Sequence, residues 1–139
     1  LNKIHTFYEN EVLSQSSLYN KKNKFNSNLK NTDIYKVKCL TLDGYCNDRG
    51  KNFTIDILKI DAEGEDLKIL QGATKMLKNK KIKLIKIELL NSFNSFKNKS
   101  NINEIIFFLN KYNYYLSTIT KTKFVKEKLL MMDVYFSNK

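Results

Sequence analysis

Two short runs of branched apolar residues lie on either side of a stretch with helical spacing, and this arrangement limits the possible folds more than any other feature of the chain. The runs are Ile55-Asp56-Ile57-Leu58-Lys59-Ile60-Asp61 and Ile82-Lys83-Leu84-Ile85-Lys86-Ile87-Glu88-Leu89. Each has the length of a strand, and the first stops at Asp61-Ala62-Glu63-Gly64, which reads as a turn out of a buried strand. Between them Leu67, Leu70, Ala73 and Leu77 form one stripe, with Glu63, Glu65 and Asp66 near its start and Lys75, Lys78 and Lys80 near its end. The spacing is helical and the charges suit the helix dipole, so it predicts one helix of about four turns. Strand, helix and strand make a βαβ unit. A helix of that length carries the chain back to start a neighbouring strand in the same direction, so the sheet is parallel and the fold class is α/β.

The rest of the chain is read around this unit. Residues 1–35 are rich in Asn, Lys and Ser, with apolar clusters at Ile4, Phe7 and Tyr8 and at Leu13, Leu18 and Tyr19, and read as loop with a single strand at most. Tyr35 to Leu42 alternates with the period of a half-buried strand and ends at Asp43-Gly44, which is turn chemistry. Asn91 to Asn101 form a polar connector, and Ile102, Ile105, Ile106, Phe108 and Leu109 make a second helix that stops near Asn110 to Asn113. Tyr114 to Ile119 and Leu129 to Phe136 are expected as closing strands with a charged hairpin, Lys121 to Lys128, between them. The expected architecture is β-α-β-α followed by a β-hairpin, within one domain over 1–139: a lead-in over 1–50 and the half-sheet over 51–139.

Composition removes several function classes. With 42% hydrophobic residues, the 139-residue chain has enough apolar material for one core. No apolar run approaches the roughly eighteen residues that span a bilayer, and the first twenty lack a signal-peptide core, so a cytoplasmic setting without membrane contact is expected. Cys39 and Cys46 match no metal or redox spacing, and His5 is the only histidine, so no metal site is expected. The net charge of +11 invites a nucleic-acid reading. However, it is scattered and almost all lysine, with Arg49 the single arginine, whereas phosphate and base recognition favour arginine forks, so no specific nucleic acid is expected. Gly44, Gly50, Gly64 and Gly72 fall in no phosphate-binding or dinucleotide-binding pattern.

In an open parallel sheet, ligands bind beyond the carboxyl ends of the strands. That rule selects Asp61, at the end of the first central strand, and Glu88, near the end of the second, with Glu63 and the Gly64 turn beside them. A carboxylate there can orient an amine or hydroxyl, or accept a proton from an attacking oxygen. Acids in a first helical turn also serve the dipole, which accounts for Glu65 and Asp66; Asp61 lies before the helix and is the better candidate. Lys59, inside an apolar strand, must reach solvent or pair with an acid, and is read as marking a solvent-facing side.

Residues 57–73, Ile57-Leu58-Lys59-Ile60-Asp61-Ala62-Glu63-Gly64-Glu65-Asp66-Leu67-Lys68-Ile69-Leu70-Gln71-Gly72-Ala73, resemble the hallmark of the FkbM family of S-adenosylmethionine-dependent methyltransferases. That family reads there approximately LKIDvEGxE followed by LxGA. The resemblance continues through Leu84 to Leu89 and Met132 to Phe136, and more weakly through Ser16-Ser17-Leu18 and Thr41 to Tyr45. It implies the C-terminal half of a class I, Rossmann-like methyltransferase sheet, with the cofactor loop and first three strands missing, together with O-methylation of a sugar or other small-metabolite hydroxyl. By the same resemblance Asp61, Glu63 and Glu88 would be catalytic, and Asp61 and Gly64 would touch S-adenosylmethionine. The strand ending at Asp61 would then have a free edge prone to self-association, unless residues 35–42 cover it. The rival readings are a basic non-enzymatic binding module and an inactive relic of the fold.

Overall fold

The computed structural model describes residues 3–10, 31–62, 64–90, 101–125 and 128–138, and the chain divides into two compact units, Leu1–Thr41 and Leu42–Lys139. In the first unit, β1 (Lys3–Asn10) and β2 (Asn31–Cys39) form an antiparallel ribbon running from Lys3 opposite Cys39 to Asn10 opposite Asn31. The cross-strand aromatic pair Phe7 and Tyr35 lies in this ribbon, and Tyr35 Oη donates to Glu9 Oε2 at 3.1 Å. The alternating stretch expected as a strand over 35–42 is therefore real but shifted. It begins at Asn31 and ends at Cys39, and its partner is β1 rather than the strand ending at Asp61.

The second unit opens with α1 (Leu42–Asn47) and continues with β3 (Ile55–Ile60), α2 (Asp66–Gln71), α3 (Thr74–Lys78), β4 (Ile82–Leu90), α4 (Ile102–Asn110), β5 (Tyr114–Val125) and β6 (Lys128–Asn138). Its sheet has the order β3-β4-β6-β5. β3 runs parallel to β4, from Ile55 opposite Ile82 to Ile60 opposite Ile87, as a βαβ unit requires. β6 is antiparallel to both β4 and β5 and lies between them. The unit is thus mixed α/β, with the expected order of elements along the chain.

One face of this sheet holds the core. Ile60 of β3, Ile85, Ile87 and Leu89 of β4, and Met132, Val134 and Phe136 of β6 are buried with Leu70, Ala73, Leu77, Ile105 and Leu109 from the helices. Because side chains alternate along a strand, the residues between them face the other way. At least ten apolar side chains leave water on one face, each worth about 1.5–3 kcal/mol, and this burial fixes the register against a slip of one residue. α4 is closed at its start by a capping box. Asn101 Oδ1 accepts from the amides of Asn103 (2.8 Å) and Glu104 (3.1 Å), and the Glu104 carboxylate accepts from the Asn101 amide. Tyr114 is fully buried and its hydroxyl donates to the Ile82 carbonyl at 2.6 Å, tying β5 to the start of β4.

Several expectations are corrected. The helix predicted as one piece is two: Gly72 donates to both the Lys68 and Ile69 carbonyls at 3.0 Å, tightening the turn, and the chain restarts at Thr74. Asp43-Gly44 lies inside α1 rather than in a turn. The Asp43 carboxylate reaches across to accept from the amides of Lys75 (2.9 Å) and Met76 (3.0 Å), and from Thr74 Oγ (3.3 Å), so it caps α3, whose own N-cap residue, Ala73, has no side chain for the task. The segment read as a charged hairpin is largely strand, since β5 runs on to Val125 and β6 starts at Lys128. The sequence predicts a buried β3, yet this strand ends the sheet order, and Ile57 is 63% exposed.

Candidate active site at the carboxyl ends of the parallel strands

β3 and β4 deliver two of the three acids selected from the sequence to one end of the sheet, and the third, Glu63, lies outside the described residues. Lys59 stands opposite Lys86 in the parallel ladder, and Glu88 stands opposite Asp133 across β4 and β6. Asp61 follows Ile60 directly, so continuing the register by one step of the pleat places Asp61 beside Glu88. On the face opposite the core, one row therefore reads Lys59, Lys86, Tyr135 and Thr118, and the next row toward the carboxyl ends reads Asp61, Glu88, Asp133 and Thr120.

The members of the acidic row differ in environment. Asp61 is exposed and its Oδ2 receives the Lys59 ammonium at 3.0 Å, so Lys59 both reaches solvent and pairs with an acid. Glu88 is half-buried and, among the described residues, makes no hydrogen bond or ion pair. Asp133 is fully buried, with Lys86 Nζ at 2.8 Å and Lys121 Nζ at 3.7 Å from Oδ2. The Lys86 contact is close enough for a hydrogen bond, but both carboxylate oxygens lack one of proper alignment, so the interaction is an ion pair held by charge. The contact with Asp133 pushes the Lys86 ammonium above the ordinary lysine pKa, while burial pulls the other way. Lys121 has φ +48° at an irregularity in the β5–β6 ladder, which aims its ammonium at Asp133.

The turn after β3 is fixed by Asp66, not by Asp61. Asp66 is 2% exposed; its Oδ1 accepts from the Ala62 amide at 3.2 Å, and the amides of Gly64 and of Asp66 itself also face the carboxylate. Burial pushes its pKa up, and these amides hold it down in part. Gly64 is buried with φ +108°, a conformation that side chains with a Cβ rarely take, so its sequence role is the turn. The sequence pattern marks Asp66 only as a dipole residue, and it does not single out Lys86 or Asp133 at all. A signal for Asp133 is nonetheless present: an acid in the apolar run Leu129 to Phe136 raises the same question as Lys59 in β3.

The arrangement presents one partly shielded carboxylate, Glu88, between an exposed ion pair and a buried one. Such a group can accept a hydrogen bond or a proton from a ligand hydroxyl or ammonium without first breaking a contact of its own. Among the described residues no group of three or more His, Cys, Asp or Glu is placed to hold a metal. Of the two residues expected to touch S-adenosylmethionine, Asp61 is exposed and paired with Lys59, and Gly64 is buried in the turn after β3.

In open α/β sheets ligands bind beyond the carboxyl ends of the strands, the end at which Asp61 and Glu88 stand here. The chain belongs to the FkbM methyltransferase family, since the model of the methyltransferase FkbM domain matches residues 2–116. That match ends within β5 and does not take in Met132 to Phe136, which the sequence resemblance includes. No curated protein and no solved structure matches the chain. Among the described residues no helix is long and apolar enough to cross a membrane.

Proposed function

We propose that this chain is the acceptor side of a cytoplasmic, S-adenosylmethionine-dependent O-methyltransferase that acts on a hydroxyl of a sugar or other small metabolite. The observation that carries the reading is the family match combined with the half-buried carboxylate of Glu88 at the carboxyl end of β4, which has no partner among the described residues. In this reading Glu88 receives the hydrogen bond, and then the proton, of the acceptor hydroxyl. Asp61, with its partner Lys59 on an exposed strand end, borders the same crevice. The cofactor is held by residues other than the described ones, in strands that pair with the outer edge of β3; among the described residues that edge has no neighbour in its sheet. Unpaired, the same edge is a point of self-association.

Calorimetric titration with S-adenosylmethionine and S-adenosylhomocysteine tests this reading, on this chain and on the full gene product that carries it. The expected result is binding by the full product alone, with Glu88→Gln lowering methyl transfer by about 10²-fold or more, the scale of a lost general base, while S-adenosylhomocysteine still binds. Absence of binding in both forms would withdraw the methyltransferase reading and leave a relative of the fold only.

A further inference from the structure

At the other end of the sheet a second concavity lies among α1, the turn that leads into β3, and the end of α3, with Lys81 just ahead of β4. Cys46, Phe53 and Met76 give it an apolar lining, Asn47 and Asn79 a neutral polar one, and Lys51, Lys75 and Lys81 are its basic lining residues. Asp43 is the one acid in its lining, and that carboxylate is already engaged by the amides of Lys75 and Met76 and by Thr74 Oγ. No carboxylate among the described residues forms an ion pair with any of the three lysines. Gly50, also in the lining, has φ +99°, and a Cβ added there would meet nothing within 4 Å, so there is open space beside it. The single arginine, Arg49, is not part of the lining; it stacks on Tyr45, 3.8 Å above the ring centroid.

We propose that this cleft is a binding site for a small organic anion, a phosphate or carboxylate carried on a flat apolar body, separate from the crevice at the carboxyl ends of β3 and β4. The apolar lining removes the body from water while the three ammonium groups meet the charge, and a ligand lacking either part loses one of the two contributions. The cleft stands on α1 and on the amino-terminal side of β3 and β4, whereas Asp61 and Glu88 stand at the far ends of those strands. Occupation of one site therefore leaves the other open.

The chain has three methionines, and they make the test simple: Met76 lines the cleft, while Met131 and Met132 belong to β6. With ¹³C-labelled methionine methyl groups, phenyl phosphate at constant ionic strength is expected to shift the Met76 signal saturably and to leave the other two in place. Inorganic phosphate should shift it more weakly and benzyl alcohol hardly at all. Lys51→Gln and Lys81→Gln should each weaken phenyl phosphate binding roughly threefold, the scale of one exposed charge contact, and both variants should keep the unliganded spectrum. Three results overturn the proposal: equal shifts of all three methionines, a Met76 shift that sodium chloride reproduces, or unchanged binding in both lysine variants.

Discussion

Replacing Asp66 by alanine tests the claim that one buried carboxylate shapes the turn at the carboxyl end of β3. The side chain gathers the amides of Ala62, Gly64 and Asp66, with the Ala62 contact at 3.2 Å, and alanine leaves that part-buried turn without its acceptor. Two to three such bonds contribute about 1 kcal/mol each, and the cost of keeping a charge out of water offsets part of this, so the net loss at neutral pH is about 1–2 kcal/mol. Against a total of about 5–15 kcal/mol that is a large fraction. It corresponds to a melting temperature lowered by roughly 5–15 °C for a unit of this size. An asparagine at this position would keep an acceptor oxygen without the charge, so Asp66→Asn should cost less than half as much. Burial raises the folded-state pKa of Asp66 above the ordinary 3.8. Its contribution is therefore fully present below that ordinary value and is lost as pH rises through the raised folded value. The stability difference between wild type and Asp66→Asn should accordingly shift in favour of the variant over that window. Urea melts of the three proteins across acid and neutral pH, with exchange of the Ala62 amide, measure all of this. An alanine variant as stable as wild type, or a difference that moves toward wild type as pH rises, would refute the reasoning.

Two further outcomes rest on single contacts. Tyr114→Phe removes the buried hydroxyl that donates to the Ile82 carbonyl at 2.6 Å and should cost about 1 kcal/mol in denaturant melts, with an unchanged midpoint counting against that bond. Lys86→Met leaves the buried Asp133 without its 2.8 Å cation and should destabilise the fold, while Lys86→Met with Asp133→Leu should melt above the single variant, because the stranded charge is gone. A double variant that melts below Lys86→Met would show that Asp133 does not depend on that ammonium. Because the Lys86 pKa is raised, the pair's contribution is complete below the ordinary lysine value of 10.5 and fades as pH rises through the folded one.

The parts of this fold that could be read from sequence are those in which local pattern and tertiary burial agree. β4 alternates buried and less buried positions from Ile85 to Leu89, and α4 carries both its apolar stripe and its capping box, so both appear within a residue or two of their expected ends. The break between α2 and α3 could not be read, because Leu70, Ala73 and Leu77 keep helical spacing across Gly72 and all three are buried. α1 was hidden for a different reason. Asp-Gly is a turn signal when only neighbours are considered, and the partner that holds Asp43, the start of α3, lies about thirty residues on. The strand-end rule placed Asp61 and Glu88 side by side at the end of the sheet because it depends only on where strands stop. It missed Asp133, whose importance depends on β6 entering the sheet between β4 and β5.

That insertion also bears on where this chain's specificity resides. The family match ends at residue 116, before β6 begins, yet β6 supplies Asp133, which stands directly opposite Glu88 and is also the buried acid paired with Lys86. Two carboxylates facing each other across an antiparallel pair repel, and the repulsion is tolerable here because Lys86 and Lys121 approach one of them. Among the described residues both lysines are directed at Asp133, and none pairs with Glu88. The strand outside the family match thus supplies the acid that faces the candidate residue inside it. Changes at Asp133 or Lys121 should then alter how Glu88 meets an acceptor without touching the motif that defines the family.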